Sequence, residues 1–384
     1  MDVPFVFDAS DPDFADRAYE IYRGLRDEHP VYHDERRGCW VLSRYDDVRD
    51  AAADPVKFSS EGTSISMGLL PMLQQLDPPR HDQLRELMWR AFTSRRVAGL
   101  EPKIRRIARA LIDDIAEAGA CDLMQDFASQ LPSRVIGELI GIPKERLGAF
   151  LEWTEVLIRA DPHKEWETNP FPLIYGEFAK LLDERRSEPR DDLMSALIEA
   201  EIDGQRLTQE ELLGFCFLLV VGGNDTTMNL IANGAVLLAR HPEQRAALVR
   251  DPSLIPKAVE EVLRYDSPTQ ALPRIATCAL EIHGFTIPTG DEVSLVWGAA
   301  NHDERRFSDP ERFDIQREDN RHLALGHGAH FCMGANLARM EGRIAFEELL
   351  ARLPDYELVG EPQWQTSRWA RAYQSVPIEA AARV

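Results

Sequence analysis

The 384-residue sequence is poor in cysteine: Cys39, Cys121, Cys216, Cys278 and Cys332 are scattered, odd in number and form no CxxC pair. That excludes a cysteine-rich zinc module and fits a reducing compartment. Basic residues are also outnumbered, with 44 Lys+Arg against 65 Asp+Glu and a net charge of −21. Such a balance argues against nucleic acid as a partner, because phosphates are bound by lysine and arginine. No run of about eighteen apolar residues offers a membrane span. The acidic opening, MDVPFVFDASDPDFADRAYE, lacks the basic and apolar regions of a signal peptide. No Gly/Ser linker, low-complexity tract or internal repeat divides the chain. These absences lead to the expectation of one irregular domain over 1–384, cytoplasmic, without a membrane or nucleic-acid partner.

The periodicity that is present is mostly helical. Ile104, Ile107, Leu111 and Ile115 recur at helical spacing, and so do Leu337, Met340 and Ile344. Strand-like stretches are brief: CWVLS at 39–43, LEIHGFTI at 280–287 and DEVSLVW at 291–297, with Gly284 to Gly290 read as a tight hairpin. The expected fold class is mainly α with small β-sheets, an α+β arrangement with a β-containing N-terminal part and a helix-rich remainder.

One helix carries more information than the rest. Thr208-x-x-Glu211 is a capping box, flanked by Leu207 and Leu212 as a hydrophobic staple. FCFLLVV, Phe215 to Val221, is apolar on every face and predicts a helix through the core. GGNDTT, Gly222 to Thr227, then interrupts it. Two glycines inside a buried helix cost roughly 1 kcal/mol each relative to alanine, and an acid with two threonines adds polar groups that need partners. The pattern predicts close approach by something that needs a carboxylate and a hydroxyl, against the plainer alternative of a kink with a solvent-facing polar patch.

Other polar clusters are weak singly. Glu261 and Arg264 lie at i, i+3, which alone reads as a surface ion pair. His81 and Arg85 lie at i, i+4 on a helix opened by prolines in DPPRHDQLR, and Arg274 stands at the entry to a strand. The sharpest stretch is LALGHGAHFCMGANLARMEG, Leu323 to Gly342, where glycines and histidines surround Cys332 just before a helical run. It lacks the lysine and Ser/Thr of a phosphate loop. Haem reconciles these pieces: its iron can be held by one axial thiolate, and glycines let the backbone lie flat against a porphyrin. A helix start near Gly334 favours the ionised sulfur. The propionates need cationic donors, for which His81, Arg85, Arg274 and His330 are suitable types.

With those residues in view, the sequence resembles the cytochrome P-450 superfamily of haem-thiolate monooxygenases, soluble bacterial type. The family's Phe-Gly-x-Gly-x-His-x-Cys-x-Gly loop is matched by Leu325 to Gly334, its oxygen-activating helix motif by Gly222 to Thr227, and its ExxR pair by Glu261 and Arg264. The resemblance runs from VLSRYDDVRDA to SVPI. Leu325 stands where the family usually has phenylalanine, which puts the packing beside the sulfur in question rather than the ligation.

The resemblance implies the cytochrome P-450 fold, with haem b between a long central helix and a cysteine-loop helix and Cys332 as axial thiolate. Cofactor contacts would come from His81, Arg85, Gly222, Gly223, Arg274, Leu325, Gly326, His330 and Gly334. Asp225 and Thr226 would deliver protons, and Glu261 with Arg264 would hold the segment before the cysteine loop. Ile65, Met67, Leu69, Leu70, Leu73, Leu218, Val221, Gln270, Ala271, Leu272 and Trp369 would line a pocket for a hydrophobic small molecule. The chain is too short for a fused reductase, so electrons would come from a ferredoxin or flavodoxin with its NAD(P)H-dependent reductase, docked on Arg95, Arg96, Arg339 and Arg343. The implied activity inserts one atom of O2 into a C–H or C=C bond. A peroxide-using peroxygenase and a non-catalytic haem sensor are the alternatives, and neither needs the acid–threonine pair.

Overall fold

The computed structural model describes residues 5–379 apart from 10, 12, 65–69, 71, 160–170 and 368. The helices that frame its central cavity are α1 (Arg80–Ala91), α2 (Gln130–Ile140), α3 (Gln209–Arg240), α4 (Ile255–Tyr265) and α5 (Ala335–Arg352). A five-stranded sheet lies to one side: β1 (Val31–Asp34), β2 (Cys39–Leu42), β3 (Phe58–Ser59), β4 (Leu272–Ala276) and β5 (Glu292–Leu295), in the order β1-β2-β5-β4-β3. Strand β5 runs parallel to β2 and antiparallel to β4, which sets Val293 opposite Arg274. The expected mainly α architecture with small sheets is what forms.

Helix α3 begins as its sequence dictates. Thr208 Oγ1 accepts the Glu211 amide at 3.2 Å, and Glu211 Oε2 accepts the Thr208 amide at 2.8 Å, which closes the capping box. The helix then packs against α2, α4 and α5, burying Phe215, Cys216, Phe217 and Val220. By length and composition α3 could cross a membrane, but 61% of its apolar window is buried inside the fold. It is the core helix of this protein. The expected hairpin turns earlier than the sequence suggested. Its turn is His283–Gly284, both at positive φ (49° and 81°), between strands Leu280–Ile282 and Phe285–Ile287.

The Glu261–Arg264 pair is no surface ion pair: Arg264 is 0% and Glu261 1% exposed. Arg264 Nε and Nη2 grip the Glu261 carboxylate at 2.9 and 2.8 Å, and its Nη1 donates to the carbonyls of Asn301 and Pro310, both at 2.9 Å. Glu261 in turn accepts the Asp314 amide, Arg317 Nε and Asn320 Nδ2. One buried pair thereby pins the irregular segment 301–320 that delivers the chain to the cysteine loop. Removing one member of a buried pair costs about 3–5 kcal/mol because the other charge is stranded. Arg264→Ala should therefore lower unfolding stability by that amount in urea titrations of the holoprotein. Arg186→Ala, at an exposed pair with Asp183, should change it by less than about 0.5 kcal/mol; equal effects would contradict this account.

Candidate haem site

The cysteine loop is built from glycine conformations and one close backbone approach. Gly326 and Gly328 sit at φ of 73° and 69°, where other residues are strained. A Cβ on Gly328 would lie 2.6 Å from the Ala52 carbonyl oxygen, so only glycine lets the loop rest on helix Tyr45–Ala53. The Cys332 amide donates to Leu325 O at 2.8 Å, closing the loop through a backbone group that leucine supplies as well as phenylalanine would. The Leu325 side chain is half-buried against the main core. The Gly334 amide donates to the Cys332 sulfur, and α5 starts at Ala335. Burial pushes the Cys332 thiol up, while the Gly334 amide and the Arg85 and Arg339 charges favour the thiolate. A cationic ligand on the sulfur would tip that balance to the thiolate. Among the described residues no group of three His, Cys, Asp or Glu is placed to hold a metal by itself, so a metal on Cys332 must bring its own donors.

The sulfur opens on a cavity of about 290 Å³. That is close to the lower end of the roughly 300–1000 Å³ of drug-sized ligand pockets, and its lining runs from the cysteine loop to α3. One edge is crowded with cation-capable groups. The rings of His81 and His330 lie 4.3 Å apart, and Arg85 and Arg274 are close enough to act on His330. Burial, with help from Arg274, His81 and Arg85, drives the His330 imidazole down to about 3. Burial also lowers Arg274 to about 10, offset only by Asp77. His81 is fully buried, and its Nε2 has no hydrogen-bond partner among the described residues. Buried positive groups without an adequate anion are what a dianionic ligand would repair. Haem, with two carboxylates and an iron for one thiolate, fits this donor set. Each group also has a partner of its own: Asp82 at 2.8 Å for His81 Nδ1, the Phe331 carbonyl for Arg85, the Pro273 carbonyl for Arg274, and Ser60 Oγ with the Leu76 carbonyl for His330.

The opposite wall is α3. Leu218, Gly222, Gly223 and Thr226 line the cavity. A Cβ on Gly223 would meet Ile136 Cδ1 of α2 at 2.8 Å, whereas one on Gly222 would meet only Leu218 at 3.6 Å. The first glycine lets two helices approach, and the second leaves open space at the cavity. The helix stays regular through this stretch, without a bulge. Thr226 Oγ1 donates to the Gly222 carbonyl at 2.6 Å. Asp225 points about 100° round the helix, as adjacent residues must, and its carboxyl meets Asn229 Nδ2 at 3.4 Å. Burial raises Asp225 to about 6, with Asn229 working against the shift.

Several sequence expectations are corrected. Gln270, Ala271 and Trp369 do not line the cavity: Gln270 is buried on Tyr22 and the Ser267 carbonyl, and Ala271 and Trp369 pack into the core around Phe7 and Phe14. The β-region entering β4 instead turns Pro268, Thr269 and Leu272 inward. Val221 is exposed and Leu70 half-buried, both off the cavity. Leu73 lines it, while Ile65, Met67 and Leu69 lie outside the described residues. The expected arginine patch is largely neutralised. Arg339 holds Glu260 at 2.7 and 2.9 Å, Arg343 pairs with Glu101 and Glu347, Arg96 pairs with Asp191, and Arg95 is exposed.

Sequence reasoning missed Glu341. It follows Leu337 by one turn on α5, is 1% exposed, lines the cavity and leaves Oε2 without a partner among the described residues. Burial alone raises its carboxyl well above the usual range, so the fold disfavours its ionised form. The only signal was an acid one turn beyond an apolar periodic position, which usually means a solvated face.

A lone cysteine sulfur facing a ligand-sized cavity, a cation-rich edge and a helix wall opened by glycine define a haem-thiolate protein. Known proteins agree with that definition. The Cytochrome P450 family model matches residues 171–354. The chain is 41% identical to the cytochrome P450 monooxygenase PikC of Streptomyces venezuelae, covering 95% of this chain and 92% of that one. It is 38% identical to a vitamin D(3) 25-hydroxylase of Pseudonocardia autotrophica, covering 96% and 95%. The crystal structure of CYP109E1 from Bacillus megaterium with testosterone superposes with a TM-score of 0.88 at 34% identity, covering 95% of this chain and 99% of that one. The chain belongs to the cytochrome P450 family, and it is a haem-thiolate monooxygenase of bacterial type that acts on a small molecule.

The raised pKa of Glu341 has a consequence for stability. Its folded pKa is raised, so above the ordinary value of 4.5 the native state holds a proton that the unfolded state has released. Stability from this group therefore falls as pH rises from there towards the folded value. Glu341→Gln should remove that slope: the gap between variant and wild-type melting temperatures should widen in the variant's favour from pH 5 to pH 9. A gap independent of pH would show that Glu341 is ionised in the fold.

Proposed function

We propose that this monooxygenase takes electrons from a cytoplasmic ferredoxin or flavodoxin served by an NAD(P)H-dependent reductase, and oxidises a hydrophobic terpenoid, steroid, fatty acyl or aromatic molecule. The observation that carries the substrate reading is the apolar part of the cavity wall, which includes Leu73, Phe92, Ile136, Phe215, Leu218 and Leu272. Such a wall retains apolar surface and offers little to a charged ligand. Names of relatives support it: one is a steroid C26-monooxygenase from Mycobacterium tuberculosis, another the vitamin D(3) 25-hydroxylase.

Haem, when bound, supplies the activation of O2. The chain does the rest. Cys332 would hold the iron, and the Gly334 amide would stabilise its negative sulfur. His81, Arg85, Arg274 and His330 would meet the cofactor's carboxylates. Gly222 leaves room above the cofactor. Thr226 keeps its hydroxyl proton on the Gly222 carbonyl, from which rotation about its side-chain bond turns it to the cavity. Asp225, with a pKa of about 6, is suited to exchange protons near neutral pH and resupply that position. An acid–threonine pair poised in this way favours O2 chemistry over peroxide-only or sensing roles. Arg95 and the paired arginines of α5 would meet the electron donor.

Thr226→Ala tests the proton route. The reconstituted system of ferredoxin, reductase and NADPH should still consume NADPH, but hydrogen peroxide should replace product, with product per NADPH lower by about tenfold or more. Unchanged coupling would remove Thr226 from the reaction. Cys332→Ser provides a separate check on ligation, because the carbonyl complex of the reduced protein should lose the absorption band of thiolate-ligated haem.

A further inference from the structure

We propose that Gln74 is the polar anchor of the substrate pocket and that the natural substrate is an otherwise hydrophobic molecule bearing a hydroxyl group. This deepens the monooxygenase reading and rests on it. Gln74 sits in the short 3-10 turn Leu73–Gln75, between the buried Met72 and Leu73. The turn is closed by the Gln75 amide on the Met72 carbonyl at 2.9 Å and the Leu76 amide on the Leu73 carbonyl at 3.3 Å. It packs against both α1 and α3. Its position is therefore set by the core rather than by solvent.

The Gln74 side chain lines the cavity. Its Oε1 is buried and has no hydrogen-bond partner among the described residues, while its Nε2 reaches only the Met72 sulfur, at 3.5 Å. A thioether is a weak acceptor, so among the described residues the carboxamide has no partner at its oxygen and only a weak one at its nitrogen. Buried amides are almost always hydrogen-bonded, and one left unpaired at a ligand cavity has a vacancy that a ligand can fill. Around it the wall is leucine, isoleucine and phenylalanine. A hydroxyl can both accept and donate, so it satisfies either end of the amide whichever way the amide is turned. A carboxylate ligand or a pure hydrocarbon would leave Oε1 unpaired.

The cationic edge raises a competing role, because His81 opens the next helix after this turn and Gln74 could serve the cofactor instead. The test separates the two. The haem-loaded protein and its Gln74→Leu variant are titrated with androstanol and androstane, and with dodecanol and dodecane, by the shift of the Soret band, and haem content is measured in parallel. Wild type should bind the alcohol of at least one pair about tenfold more tightly than its hydrocarbon. Gln74→Leu should abolish that preference with haem content unchanged. Equal or absent shifts for the two members of both pairs in wild type overturn the proposal. So does loss of haem in the variant, or persistence of the preference without Gln74. Absence of the thiolate-haem carbonyl band in wild type would defeat the monooxygenase reading itself, a result distinguishable from any of these.

Discussion

Glu261 and Arg264 form the interaction on which the rest of the site depends. Both are excluded from water, and together they satisfy backbone groups of a segment that has little regular structure of its own. A segment with few internal hydrogen bonds cannot position the chain beyond it unless something outside fixes it first. Arg264 also lies over the Phe307 and Tyr265 rings, which limits its rotation. The Asn301 carboxamide passes the constraint on, accepting the Leu323 amide at 2.7 Å at the entry to the cysteine loop. Through these contacts the ion pair helps to fix the entry to the loop that carries the sulfur.

The cavity is electrostatically uneven, and the unevenness has one physical source. Burial withdraws water from every group around it, which weakens ionisation unless a partner is supplied. At the edge built from α1, β4 and the cysteine loop, His81, Arg85, Arg274 and His330 face one another with Asp77 as the acid that bears on Arg274. On α5, Glu341 lines the cavity, and burial raises its carboxyl well above the usual range. The two carboxylates of a haem would complement the cation-rich edge.

Helix α3 combines two demands that compete in sequence space. Its first half must be apolar to pass through the core, and its middle must admit a reactive site. Gly223 meets the packing demand by letting α2 approach, and Gly222 meets the functional one by leaving space. The next side chains divide by angle: Thr226 faces the cavity, Asp225 the flank, and Asn224 receives the Ser133 hydroxyl at 2.9 Å inside the α2 interface. The polar members of this hexapeptide are divided among different neighbours, with Asn224 Nδ2 left without a partner among the described residues.

The sequence by itself determined the mainly α character, the start of α3 at its capping box, the cysteine loop and the identity of the thiolate, since these rest on local patterns and on spacing along one chain. It also singled out by charge type His81, Arg85, Arg274 and His330, which the fold brings to one edge of the cavity. Tertiary structure alone decided which residues turn inward. Gln270, Ala271 and Trp369 were misplaced because the chain entering β4 presents Pro268, Thr269 and Leu272 to the cavity instead, and strand orientation is set by pairing with β5 and β3. The arginines of the proposed docking face were read as free because their acids come from distant positions: Asp191 for Arg96, Glu260 for Arg339 and Glu101 for Arg343. Glu341 and Gln74 were not singled out, because burial without a partner is a property of three-dimensional packing that no pattern along the chain encodes.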